Sequence, residues 1–111
     1  MVTYIPDRGD IVWLAFDPQA GHEQSGFRPA LVISPKSYNG KVGLALMCPI
    51  TSKAKGYPFE VSLPADSKVS GVVLSDQIKS LDWQAREATL ACKATGGVVA
   101  EILVKILALI S

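Results

Sequence analysis

Through most of the chain, apolar residues come in short runs cut by polar, Gly or Pro positions, which is the pattern of strands and not of long helices. Residues 11–16 read Ile-Val-Trp-Leu-Ala-Phe, rich in β-branched and aromatic side chains, opened by Gly9-Asp10 and closed by Asp17-Pro18. Residues 19–26 are polar and contain Gly21 and Gly26; they are too polar to pack and predict a mobile surface loop. Residues 30–34 form the next strand, and Pro35 with Asn39-Gly40 predicts a turn region. Residues 44–48 predict a third strand, with Pro49 near its end pointing to a sheet edge or a bulge. Lys53, Lys55 and Gly56 mark a basic loop, and residues 59–63 alternate as a strand with one wet face. Residues 71–74, 78–83 and 86–92 predict three more strands.

After Gly96-Gly97 the period changes. Val98, Val99, Ile102, Leu103, Ile106, Leu107 and Ile110 recur at helical spacing, and Glu101 with Lys105 forms an i,i+4 pair. Val104 and Leu109 place apolar surface on other sides, so the helix is expected to be covered on more than one face, by its own sheet or by a second subunit. Strands followed by one terminal helix predict a mainly β fold, a small barrel-like sheet capped by an α-helix. The 111 residues fit a single domain spanning 1–111.

Composition narrows the chemistry. Hydrophobic residues are 49% and charged residues 19%, a globular balance, and the net charge of +1 neither demands nor forbids nucleic acid. Cys48 and Cys92 form no C-x-x-C pair and have no His nearby, so a metal or redox role is not expected. The N-terminal residues lack the pattern of a signal peptide, and the apolar C-terminal stretch is broken by Glu101 and Lys105, so a cytoplasmic protein with no membrane association is expected. Neither G-x-x-x-x-G-K-[ST] nor G-x-G-x-x-G occurs, Gly-x-Ser-x-Gly is absent, and one histidine cannot build a His-rich metal site.

The polar residues that stand out lie at strand ends: Arg28 after the polar loop, Thr51 after Pro49-Ile50, then Lys53 and Lys55. Taken alone, Arg28 also reads as a strand-start side chain reaching into solvent, and Thr51 as a turn former. Lys53, Lys55 and Lys79 are candidate phosphate contacts, with Phe27, Tyr57 or Trp83 as aromatic platforms for bases. For Trp13, Phe16, Phe59 and Trp83 a core position is expected.

Several blocks, in order along the chain, carry a resemblance: Gly9-Asp10-Ile11-Val12-Trp13, Phe16-Asp17-Pro18, Gly21-His22-Glu23-Gln24-Ser25-Gly26-Phe27-Arg28-Pro29-Ala30-Leu31-Val32-Ile33-Ser34-Pro35, Cys48-Pro49-Ile50-Thr51-Ser52-Lys53, Gly56-Tyr57-Pro58-Phe59-Glu60-Val61, and Gly71-Val72-Val73-Leu74-Ser75-Asp76-Gln77-Ile78-Lys79-Ser80. They resemble the MazF/PemK toxin family. The resemblance implies an SH3-like small barrel with a C-terminal helix, related in fold to CcdB, working as a homodimer. It implies the toxin of a type II toxin–antitoxin pair, a metal-independent, cofactor-free endoribonuclease cutting single-stranded RNA at short sequences, with an antitoxin partner bearing an acidic, flexible tail. Arg28 matches the family's catalytic arginine and Thr51 its catalytic threonine; Glu23 and Gln24 match the loop bordering the active site, and Gln77 joins the expected RNA contacts. Phe27 stands where some members have histidine. A non-enzymatic CcdB-like toxin and a binding-only SH3-like module are the alternatives.

The expected chemistry needs no metal because RNA carries its own nucleophile, the 2′-hydroxyl. Arg28 presents a permanently charged planar fork to a phosphate, and Thr51 offers one hydrogen-bond donor. For the base, Glu23 and His22 both remain candidates.

Overall fold

The computed structural model describes residues 4–15 and 26–111. Seven strands form one antiparallel sheet: β1 Asp10–Ala15, β2 Phe27–Val32, β3 Ala45–Thr51, β4 Glu60–Ser62, β5 Val72–Leu74, β6 Lys79–Leu81 and β7 Thr89–Lys93. Two helices, α1 Lys36–Val42 and α2 Gly96–Ile110, and a 3-10 turn at Ser75–Gln77 complete it. The order across the sheet is β4-β5-β3-β2-β1-β7, with β6 alongside β3. Among the described residues, β4 and β7 end this order and do not pair with each other, so the mainly β fold with its C-terminal helix is present while the barrel closure implied by the resemblance is not seen in the pairings.

The near-continuous apolar runs of β1 and β2 follow from burial on both faces. Ile11 lies opposite Leu31 and faces one core with Cys48, Ile50, Val73 and the α2 residues Val98, Ile102 and Ile106. Val12 lies opposite Ala30 and faces a second core with Leu14, Val32, Met47 and Trp83. Each large aliphatic side chain fully removed from water contributes roughly 1.5–3 kcal/mol. Thr95 caps α2, its hydroxyl accepting from the Val98 amide.

Two expectations are corrected, the turn at Pro35–Gly40 and the bounds of the second and third strands. The Pro35–Gly40 region is not a turn but the start of α1, because Asn39 is fully buried as a polar hub. Its amide donates to the carbonyls of Pro6 (2.7 Å) and Ser34 (2.9 Å), its side-chain oxygen accepts from the Ser34 hydroxyl, and its carbonyl accepts from the Trp83 indole at 3.1 Å. The second strand starts at Phe27 instead of Ala30, and the third runs on to Thr51. Within one chain α2 is covered on one face only: Val104 and Ile110 are 65% and 73% exposed.

Pro49 does lie at a break, though inside β3. The amide of Ile33 donates to the Leu46 carbonyl, which sets Ala30 and Pro49 as a pair whose amide positions point away from each other. The missing N–H of Pro49 therefore faces the gap where the β6 ladder, ending at Met47, gives way to the β5 ladder, starting at Ile50.

Candidate active site

The last pair of the β2–β3 ladder is Ala30 opposite Pro49. Beyond it β2 stays paired with β1 as far as Phe27 opposite Ala15, while Ile50 and Thr51 pair with Val73 and Val72 of β5 on the other side of β3. The two strands thus part, and Arg28 and Thr51 stand on the two lips of the wedge. Continuing the 30–49 register by two residues sets 28 against 51, and in a pleated strand steps of two stay on one face. Two segments distant in sequence are in this way brought to one place by strand register.

Thr51 is held from several directions. Its hydroxyl oxygen accepts from the Lys53 amide at 3.1 Å, which leaves the hydroxyl proton available to donate. Gly71 lies against its backbone: a Cβ there would sit 2.3 Å from the Thr51 carbonyl oxygen, and the φ of +124° also disfavours side chains. The basic loop that follows is pinned by Glu60, whose two carboxylate oxygens accept from the amides of Lys55 (2.8 Å) and Gly56 (2.9 Å). Lys105 of α2 donates to the Pro58 carbonyl at 2.6 Å, so the terminal helix also fixes this loop.

Three adjoining clefts meet at the wedge. The largest, about 570 Å³, is lined by Arg28, Thr51, Ser52 and Lys53 together with Trp13 and the β4–β5 loop residues Lys68 and Ser70. A second, about 330 Å³, is lined by Arg28, Pro29, Pro49, Thr51, Gln77 and Lys79. A third, about 260 Å³, is lined by Thr51, Lys53, Lys55, Tyr57, Glu60 and Gln77. Arg28 lines two of them and Thr51 all three. Lys53, Lys55, Gln77 and Lys79 are exposed along the same run. Cationic and hydroxyl donors along an open trough suit an extended anionic polymer.

The structure therefore brings together Arg28, Thr51, Lys53, Lys55, Gln77 and Lys79. Phe27 is 48% exposed at the start of β2 but is not among the residues lining these three clefts. Glu23, Gln24, His22 and Phe16 lie outside the described residues. Trp83 is buried as expected and so offers no platform for a base, and Phe59 is half-buried. Trp13 is a correction: expected in the core, it is 38% exposed and lines the largest cleft, because it sits on β1 where the apolar layer runs out beyond Pro29. Lys68, Ser52 and Ser70 were not anticipated; they sit in polar loop sequence with no local signature.

Neither cysteine is bonded, and Cys48 is fully buried, which pushes its thiol up to about 12, with Asp76 adding repulsion. Among the described residues no three His, Cys, Asp or Glu side chains gather as a metal would require, and no helix is long and apolar enough to cross a membrane.

Residues 7–110 match the family described as the PemK-like, MazF-like toxin of type II toxin–antitoxin systems. The chain is 54% identical over 86 residues to the endoribonuclease toxin MazF of Escherichia coli (strain K12), covering 78% of this chain and 77% of that protein. It is 41% identical over 109 residues to the endoribonuclease toxin ChpB of the same organism, covering 94% and 93% of the two chains. A crystal structure of MazE–MazF from Deinococcus radiodurans superposes with a TM-score of 0.89 at 50% identity, covering 98% of each chain.

Proposed function

The chain belongs to the PemK-like, MazF-like toxins of type II toxin–antitoxin systems, and on that membership we propose that it is an endoribonuclease toxin that cuts single-stranded RNA by attack of the 2′-hydroxyl on the adjacent phosphate, with Arg28 and Thr51 as the phosphate-binding pair. The observation that carries the reading is the wedge where β2 and β3 part, whose shared clefts are lined by both residues.

In the reaction, the ribose 2′-oxygen forms a bond to phosphorus as the 5′-oxygen of the next nucleotide leaves. The products are a 2′,3′-cyclic phosphate and a 5′-hydroxyl. Negative charge grows on the non-bridging oxygens in the transition state. Arg28 neutralises that charge with a fork of fixed donors, and Thr51 donates its hydroxyl proton to the same phosphate. Arginine stays protonated, so it is not the base. Glu23 takes the 2′-proton, with His22 as its rival for that role, and the departing 5′-oxygen takes a proton from solvent to become the 5′-hydroxyl. Lys53, Lys55 and Lys79 hold flanking phosphates, and Gln77 and Gln24 read base edges.

Catalysis needs no divalent ion in this scheme because the substrate supplies the nucleophile and the protein supplies the positive charge. An antitoxin is the protein partner, and one with an acidic flexible tail complements the lysines along the trough. The exposed apolar side of α2 supports a homodimer, and a cytoplasmic location belongs to the same reading. A binding-only reading, or a CcdB-like one, leaves the shared position of Arg28 and Thr51 without a purpose.

The test is incubation of purified protein with a long single-stranded RNA in EDTA, followed by end-group analysis. Cleavage to cyclic-phosphate and 5′-hydroxyl ends is expected, and a single 2′-deoxy substitution at the cut site abolishes it. Cleavage that requires magnesium, or that tolerates the 2′-deoxy substitution, overturns the mechanism.

A further inference from the structure

Arg28 and Thr51 line both of two clefts that lead away from them, one running past Gln77 and Lys79 and the other past Trp13 and Lys68. A single strand whose phosphate is held at the pair must leave it in two directions, one on each side. Lys79 and Gln77 in the first direction already suit one flank. The second holds the larger volume, about 570 Å³, within the usual range for a site that takes a nucleotide-sized group.

Its chemistry matches a nucleotide. Trp13 is an indole exposed between two fully buried neighbours, Val12 and Leu14, on β1, which pairs with β2 and β7. An aromatic ring left open at the end of an apolar layer is a stacking platform, tolerant of any base because every base has a π-face. Around it the same cleft carries Lys53 and Lys68, which suit a phosphate, and Ser52 and Ser70, which suit base edges or a 2′-hydroxyl. Val69, buried beside Lys68, fixes the loop that carries that lysine against the core.

We propose that Trp13 and Lys68 form a nucleotide subsite for the residue flanking the scissile phosphate on the side opposite Gln77 and Lys79, with the base stacked on the indole and its phosphate on the ammonium. This rests on the nuclease reading of the Arg28–Thr51 wedge and extends it.

The test uses steady-state cleavage of a synthetic RNA and of versions shortened from either end, with Trp13→Ala, Trp13→Phe and Lys68→Gln, their folding checked by circular dichroism. Trp13→Ala is expected to lower kcat/KM on the long RNA by on the order of tenfold, with the loss falling on KM, and Trp13→Phe restores most of it. Lys68→Gln is expected to flatten the salt dependence of binding by about 0.7 in log–log slope, the value for one phosphate contact on a single strand. Shortening the RNA from one end erases both penalties; shortening it from the other leaves them. The proposal is overturned if the penalties persist on both shortened RNAs, if they fall on kcat alone, or if the variants cut RNA normally and lose only antitoxin binding. A wild-type protein that cuts no RNA refutes the nuclease reading itself, a result separate from any of these.

Discussion

Arg28 and Thr51 owe their partnership to strand register and not to proximity in the chain. Replacing Arg28 with Ala is expected to slow single-turnover cleavage by on the order of 10²–10³, the usual loss on removing a donor aimed at developing charge. Arg28→Lys should recover little of it, because an ammonium cannot present a two-pronged planar contact; recovery to near wild-type rates would show that charge alone suffices. Gly71 is a structural test of the same site. A methyl there meets the Thr51 carbonyl at 2.3 Å, so Gly71→Ala is expected to lower both the melting temperature and the cleavage rate, while Gly43→Ala, whose added methyl meets nothing, lowers the melting temperature without the same loss of activity. Strand-end position drew attention to Arg28 and Thr51 one by one, but their pairing came only through the family resemblance, since spacing along the chain says nothing of a pairing made across a sheet. Trp13 was misjudged for a related reason: a β-branched and aromatic run predicts a strand, but whether a given position lies under the next layer depends on where that layer stops.

At the scale of elements, the period-two and period-3.6 patterns were enough to locate all seven strands and α2, with shifts at their ends. The helix α1 was missed because Asn39-Gly40 is strong turn chemistry locally and is overruled by four buried hydrogen bonds that no local pattern encodes. The N-terminal segment is tied to β1 and β7 by a comparable polar cluster. Buried Asp10 accepts from the Tyr4 hydroxyl at 2.5 Å and from the Asp7 amide at 3.1 Å, and pairs with Lys93 at 2.7 Å. Burial and then the Asp10 bond raise Tyr4 well above its ordinary 10.0, and the same carboxylate raises Lys93 above 10.5. With Cys48 raised from 9.0, all three groups keep their protons longer in the folded chain than in the unfolded one. Their contribution to stability is therefore whole below about pH 9 and declines as pH rises further. Asp7, lowered mainly by the Lys36 amide, acts at the other end: its contribution is present above 3.8 and is lost as pH falls through its folded value. Urea titrations across pH are expected to show a fall beginning near pH 9, and a flat profile to pH 11 would contradict this assignment. Alkylation of the native protein near neutral pH should label Cys92, which is half-buried, far faster than Cys48.

For the molecule as a whole, one sheet serves as a rigid frame with two cores, and the active wedge forms where the sheet ceases to be continuous. A site placed at a parting of strands has its backbone fixed by the ladder hydrogen bonds to β1 and β5, which would limit the reorganisation needed if Arg28 and Thr51 meet developing charge. The exposed side of α2 is expected to bring two copies together; Leu107→Asp or Ile110→Asp should shift the sedimentation coefficient toward a monomer, and an unchanged value would place the dimer contact elsewhere. The central feature of the proposed RNA-cleaving surface is the pair at residues 28 and 51, which line the same clefts. A double-mutant cycle in single-turnover RNA cleavage, comparing Arg28→Ala, Thr51→Val and the double variant, addresses that feature most directly. Two groups gripping one phosphate should be strongly non-additive, the double variant being slower than the worse single variant by less than about tenfold. Losses that simply multiply, or a Thr51→Val variant as fast as the parent, would show that the two side chains do not act on the same transition state.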